Sequence, residues 1–218
     1  MFTGIVTAIG RIELITPIDS SCIKGGLRLS ISAGILDLSD VRLGDSIAVQ
    51  GACLTVIGKK AAHFNVDVSR ETLNCTAGLT QPGDVNLEKA LRVDQRLSGH
   101  MVSGHIDGMG QVSLFDPAGE SYVLCIVAPS SLAKYFAHKG SVTLNGVSLT
   151  INTVKDLGDG CELSLNLIPY TIQMTTLRHL RVGDTLNIEV DIISRYIERM
   201  LSAYQDSYKS LNLSNSKV

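Results

Sequence analysis

Two patterns in this 218-residue chain set small polar side chains at a fixed spacing, one of them beside glycine, and each pattern occurs twice. Gly51-Ala52-Cys53-Leu54-Thr55 and Gly146-Val147-Ser148-Leu149-Thr150 share the spacing Gly-x-x-Leu-Thr, with Cys53 or Ser148 at the second variable position. Thr72 and Thr171 are each followed two residues later by an amide, Asn74 or Gln173. Backbone groups and small hydroxyls near glycines suit a flat heterocycle with many donors and acceptors. The same residues fit a plainer reading, in which they satisfy local backbone groups in turns. A third stretch, Leu97–Gly108 (LSGHMVSGHIDG), sets His100 and His105 among Gly and Ser. A histidine there can serve as a general acid or base near neutral pH, or can simply hydrogen-bond a turn.

These patterns belong to a longer repeat. Phe2–Ile12 matches Val102–Val112, aligning Gly4 with Gly104, Val6 with Ile106 and Ile5 with His105. Asp45–Val56 matches Gly140–Ile151, Glu71–Thr76 matches Tyr170–Thr175, and Gly83–Glu88 matches Gly183–Glu189 with one extra residue. Four blocks in the same order, offset by 95 to 101 residues, imply two whole domains from a duplicated ancestor. The first spans residues 1–97 and the second 98–190, joined by the short, charged segment Leu91–Leu97. The copies differ most tellingly at Ile5 and His105.

Composition narrows the function. Hydrophobic residues are 44% and charged residues 18%, so each half can build a packed core. A net charge of −2 argues against nucleic acid, which calls for a basic patch. The uncharged runs Gly140–Val154 and Leu163–Leu177 are too short to span a bilayer, and Met1–Gly10 lacks the basic start of a signal peptide. The expectation is a cytoplasmic protein with no membrane partner. Five cysteines, at 22, 53, 75, 125 and 161, form no CxxC pair, so neither a disulfide framework nor a structural zinc site is expected. No metal-ligand spacing, Ser-His-Asp order, P-loop or GxGxxG is visible.

Both halves read as all-β. Alternating apolar residues mark strands at Leu27–Ile31, Ser46–Val49, Thr55–Ile57, Phe64–Val68 and Val85–Leu87. The matching strands are Tyr122–Ile126, Val142–Leu144, Thr150–Asn152, Leu163–Leu167 and Leu186–Val190. Asn145-Gly146 between apolar runs is a hairpin signal. Short helices are expected at Ala33–Leu38 and Ser130–His138. A longer one is expected over residues 191–208, where Ile193, Tyr196, Ile197, Met200, Leu201 and Tyr204 form one apolar stripe. That helix has no counterpart in the first copy and suits packing on its own domain or on another subunit. Residues 209–218 are expected to be a disordered tail.

Five segments together resemble the riboflavin synthase family: Met1–Val6 (MFTGIV), Gly44–Val56 (GDSIAVQGACLTV), Leu97–Gly108, Lys139–Ile151 (KGSVTLNGVSLTI) and Ile168–Leu177 (IPYTIQMTTL). The resemblance runs from Met1 to about Leu201. It implies two tandem six-stranded, Greek-key-like β-barrels, each binding one 6,7-dimethyl-8-ribityllumazine. Two such molecules dismutate by transfer of a four-carbon unit, without cofactor or metal, to riboflavin and 5-amino-6-(D-ribitylamino)uracil. It further implies a homotrimer joined by the C-terminal helices, and an association with lumazine synthase.

Carried over by motif, the first barrel would touch its ligand through Gly4, Ile5, Val6, Cys53, Leu54, Thr55 and the run Asp67, Val68, Ser69, Arg70, Glu71, Thr72. The second would use Gly104, His105, Ile106, Lys139, Ser148, Leu149, Thr150 and the run Ile168, Pro169, Tyr170, Thr171, Ile172, Gln173. The resemblance also points to Ser46, His100 and Asp191 near the chemistry, alongside His105, Ser148, Thr150 and Cys53. This sequence departs from the family's common residues at Gln50, Ser98 and Asn145. Rival readings are a lumazine- or flavin-binding protein of the same fold without turnover, and a flavin reductase-type barrel. The second lacks the nucleotide-binding domain it would need.

Overall fold

The computed structural model describes residues 1–19 and 25–215, with side chains to residue 205. Cys22 and residues 216–218 lie outside the described residues.

The first half runs β1 (Ala8–Pro17), β2 (Leu27–Ser32), β3 (Ser46–Val49), β4 (Ala52–Lys60), β5 (His63–Val68), α1 (Arg70–Cys75) and β6 (Gly83–Lys89). The second repeats the order as β7 (Gly108–Ala118), β8 (Ser121–Pro129), α2 (Ser130–Ala133), β9 (Ser141–Leu144), β10 (Val147–Asp156), β11 (Gly160–Leu167), α3 (Pro169–Met174), a 3-10 turn (Thr176–His179) and β12 (Thr185–Val190). Each set closes into an antiparallel barrel, with strands in the order β1-β2-β5-β4-β3-β6 and its equivalent in the second half. Closure leaves no free sheet edge. Register shifts fall at matched places, after Ile12 and Val112 and after Val56 and Ile151, where bulges sharpen the bend of long strands.

Alternation decides what fills each barrel. Ile12, Leu29, Ile31, Val56, Phe64, Val66 and Leu87 point into the first, and Val112, Leu124, Ile126, Ile151, Leu163, Leu165 and Ile188 into the second. The strands β1 and β7 escape the periodicity because Gly10 and Gly110 take inward positions and a bulge then shifts the phase. The expected helix at Ala33–Leu38 is instead a turn, since Gly34 adopts φ +58° and breaks the helical run while Ala33, Leu36 and Leu38 still reach the core. The helix expected over Ser130–His138 stops at Ala133, and turns carry the chain on to Lys139.

The final helix, α4, covers Ile192–Asn215. It passes the expected end at Tyr208 and includes residues 209–215, where disorder was expected. That segment has neither Gly nor Pro to end a helix. The apolar stripe from Ile193 to Tyr204 is uncovered, with Met200 72% exposed.

The barrels meet along a pseudo-twofold seam. Phe2 and Val102 exchange two backbone hydrogen bonds and lie buried with Ala48. Gln50-Gly51 and Asn145-Gly146 all have positive φ, the signature of type I′ hairpins, and the two turns abut. Asn86 Nδ2 donates to the Asn145 carbonyl, and Asn187 Nδ2 to the Gln50 carbonyl. The strands β6 and β12 are therefore buried on both faces, one toward the core and one toward the seam.

Candidate active site

Each barrel begins with an arm that crosses to the other barrel. The arms are Thr3–Val6 and Ser103–Ile106, and a buried carboxylate latches each one. Glu88 accepts hydrogen bonds from Thr3 N–H, Thr3 Oγ1 and Gly4 N–H. Glu189 accepts the matching set from Ser103 and Gly104. Desolvation pushes both acids above the usual carboxylate range, against the pull of these donors.

Once latched, the arms exchange partners. The Gly4 carbonyl accepts from Ser148 N–H at 2.7 Å, and the Gly104 carbonyl from Cys53 N–H at 2.8 Å. A Cβ on Gly4 would stand 2.6 Å from that of Ser148, and one on Gly104 2.6 Å from that of Cys53. Both glycines also have φ near +75° to +80°, so no other residue fits. Farther along, Ile106 packs on the first core and Val6 on the second. Across the grouping carried over by motif, Gly104, His105 and Ile106 therefore stand beside Cys53, and Gly4 and Val6 beside Ser148 and the second core, while Ile5 lines a cleft with Ile35, Leu36 and Asp37 of its own half.

The first of these junctions encloses a pocket of 230 Å³ lined by Ala52, Cys53, Glu71, Thr72, Cys75, Thr76, Gly104, His105 and Ile106. Ser69 caps α1 by accepting the Thr72 N–H, and Thr76 Oγ1 donates back to the Thr72 carbonyl, which fixes Thr72 at the wall. The volume falls below the 300–1,000 Å³ typical of a site that engulfs a drug-sized ligand.

At the second junction Ser148 Oγ lies 2.7 Å from His100 Nδ1, and Thr143 Oγ1 lies 3.2 Å from His100 Nε2. Burial lowers the His100 pKa, and the nearby Asp191 carboxylate opposes it. A neutral imidazole against a serine hydroxyl can take or return a proton. Asp191 also caps α4, accepting the Ile193 N–H at 2.9 Å. The first junction, with Cys53 in place of Ser148, carries His105 from its own arm instead.

The lumazine binding domain family matches this chain twice, over residues 3–90 and 103–191. Riboflavin synthase of Photobacterium phosphoreum is 44% identical over 203 residues, covering 92% of this chain and 89% of that protein. Riboflavin synthase of Bacillus amyloliquefaciens is 39% identical over 204 residues, covering 92% and 90%. The chain belongs to the riboflavin synthase family. In fold it also matches LumP complexed with flavin mononucleotide, at 25% identity and a TM-score of 0.71 over 87% of this chain and 99% of that one. LumP complexed with 6,7-dimethyl-8-(1'-D-ribityl) lumazine gives 24% identity and a TM-score of 0.72 over the same shares.

Within this riboflavin synthase family frame, the remaining expected residues are dispersed. Val68 is fully buried in the first core and offers no surface to a ligand; Leu54 is nearly so. Asp67 accepts from Arg28 Nε and Nη2 at 2.8 and 2.9 Å, which lowers its pKa. Ser46 pairs with Thr55 across β3 and β4, and lines a different cleft, of 540 Å³, with Asp40, Arg42, Lys89 and Arg92. Arg70 and Glu71 are exposed in the first turn of α1. Ile168, Pro169 and Tyr170 are exposed at the start of α3, Thr171 and Ile172 are half-buried, and Gln173 is exposed. Leu149 and Ile172 pack against the second core. Thr150 is exposed opposite Ser141. Lys139, at φ +63°, donates from its backbone to Ile151 and from Nζ to Asn152 Oδ1. Asn145 is buried in the seam, where its Oδ1 accepts the Asn187 N–H, so its departure from the family's common residue bears on the join between barrels.

Sequence reasoning passed over Glu88, Glu189 and Cys75. An acid at the same place in both copies, two residues after a matched Asn, was the available signal for the first two. Cys75 carried none.

Proposed function

We propose that this chain catalyses the dismutation of two 6,7-dimethyl-8-ribityllumazine molecules into riboflavin and 5-amino-6-(D-ribitylamino)uracil. One lumazine occupies the Cys53 junction and the other the Ser148 junction. The observation that carries the reading is the pair of matched junctions, each completed by an arm of the opposite barrel. The substrate's acidic C7 methyl yields a carbanion delocalised over the ring, so the protein's task is to bring two rings together and move protons. Holding reactants in place can account for roughly 7–11 kcal/mol of such a barrier. His105 moves a proton at the first junction. The Ser148–His100 pair does so at the second, while Cys53 and Thr72 hold ring edges.

Because a single-chain pocket covers only part of such a ligand, the two rings meet where the first barrel of one subunit faces the second barrel of the next. The uncovered stripe of α4 supports a homotrimer. Free thiols at Cys53, Cys75, Cys125 and Cys161 fit a cytoplasmic setting. The family resemblance extends the reading to an association with lumazine synthase, which co-sedimentation would test.

The deciding experiment incubates purified protein with the lumazine alone, with no metal or cofactor added, and follows riboflavin absorbance. Riboflavin formation unaffected by chelator is expected. Lumazine that binds but is not converted would leave a binding protein instead.

A further inference from the structure

Among the described residues, helix α4 is the one long element without a counterpart in the first half, and its first turn meets the end of the arm that carries His105. Asp107 follows that arm directly. Its side chain is 10% exposed and its two oxygens are divided. Oδ2 accepts the Val190 N–H at 2.8 Å, and Oδ1 meets Arg195 at 2.6 Å. The Asp107 N–H donates to the Ile188 carbonyl, so backbone and side chain both tie the arm to β12 and α4. The matched residue of the first arm is Thr7. Its Oγ1 donates to the Leu87 carbonyl at 3.2 Å, and its N–H to the same carbonyl. The ion pair is therefore an addition of the second half, on the arm where His105 replaces Ile5. The Asp107 carboxylate lies within electrostatic reach of His105 as well as of Arg195, while burial acts against its charge.

We propose that Arg195 is a positioning residue, which holds the Gly104–Ile106 arm through Asp107 and so seats His105 at the mouth of the Cys53 pocket. Arg195 touches no reacting atom. Its effect runs from α4 to Asp107, two residues along the chain from His105. The docking of α4 on its own barrel is thereby coupled to a pocket on the other barrel. A second ion pair holds the same helix, with Lys134 of the turn after α2 meeting Glu198 at 2.7 Å, but neither of its residues bonds to the arm, and it serves as a comparison.

The inference rests on the proposed reading for its kinetic readout only. Arg195→Met, Arg195→Lys and Lys134→Met are compared with the parent for riboflavin formation, sedimentation and amide exchange over residues 103–107. Arg195→Met is expected to lower kcat at least 10-fold with KM within threefold, and to speed exchange in the arm at least 10-fold, at unchanged oligomeric state. Arg195→Lys should bring kcat back to within threefold of the parent, and Lys134→Met should leave kcat and arm exchange near the parent. Parental exchange over 103–107 in Arg195→Met would overturn the proposal, as would an equal kinetic loss in Lys134→Met. A parent that makes no riboflavin would sink the reaction assigned above, and the exchange experiment would still decide the role of Arg195.

Discussion

At the scale of single residues, burial does two jobs for His100. It brings the imidazole to Ser148 and lowers its pKa from the ordinary 6.5. Below pH 6.5 the unfolded chain takes up a proton there that the folded chain resists, so the unfolded state gains and stability falls as pH falls. Glu88, Glu189 and Asp107 act in the opposite sense. Their folded pKa values are raised, so the folded state binds protons more readily and their contribution declines as pH rises through those values. His100→Gln should therefore lose stability relative to the parent at pH 8 but by a smaller margin at pH 5.5. Thermal melts at the two values check this, and a margin independent of pH would contradict it. At the other junction, His105→Gln is expected to reduce turnover about 10²–10⁴-fold, the usual contribution of a general acid or base. Both lumazines should still bind by fluorescence titration. Near-parental turnover would move the proton transfer to the Ser148–His100 pair. The contrast of Ile5 with His105 is legible in the aligned copies. Which barrel each arm serves is not, because the crossing is set by Phe2 and Val102 pairing across 100 residues of chain.

Among the elements, strands whose inward positions are all Val, Ile, Leu or Phe announce themselves, as β2 and β5 do. The strands β1 and β7 do not, since glycine stands where an apolar side chain is expected. The short helices α1 and α3 are equally silent, with one buried side chain in the first and none in the second. The strands β6 and β12 mislead in another way. Asn86 and Glu88 read as solvent-facing under period-two alternation, yet the neighbouring barrel covers them. The helix α4 was legible from its stripe, and the structure leaves that stripe bare. On the proposed homotrimer, Met200→Glu should thus dissociate the subunits in sedimentation velocity while the barrels melt as before, because an exposed substitution changes stability by only about 0.5 kcal/mol. An intact oligomer would show that another surface holds the subunits together.

For the whole molecule, each barrel has its own core and the seam is a third, small cluster around Phe2. Phe2→Ala empties a fully buried site, a change that typically destabilises by about 3–5 kcal/mol. The loss should appear as separate melting of the barrels in calorimetry, rather than as one lowered transition. A single cooperative transition would mean the polar contacts of Gln50, Asn86, Asn145 and Asn187 suffice to join the halves. By the same geometry, residues 1–97 alone should fold and pair with a second copy of themselves, the Gly4 arm of each reaching Cys53 of the other. Sedimentation of that fragment as a monomer would count against the equivalence of the two junctions.

The crossed arms also constrain how this chain could have diverged from its ancestor. Before fusion, a pair of identical barrels trading arms had to carry the same residue on both, so any change at the Ile5/His105 position altered both junctions at once. Joining the copies in one chain freed each arm to mutate alone. Yet it bound each barrel to the other's arm, so loss of either half would leave the remaining pocket to be closed by a second copy of its own arm.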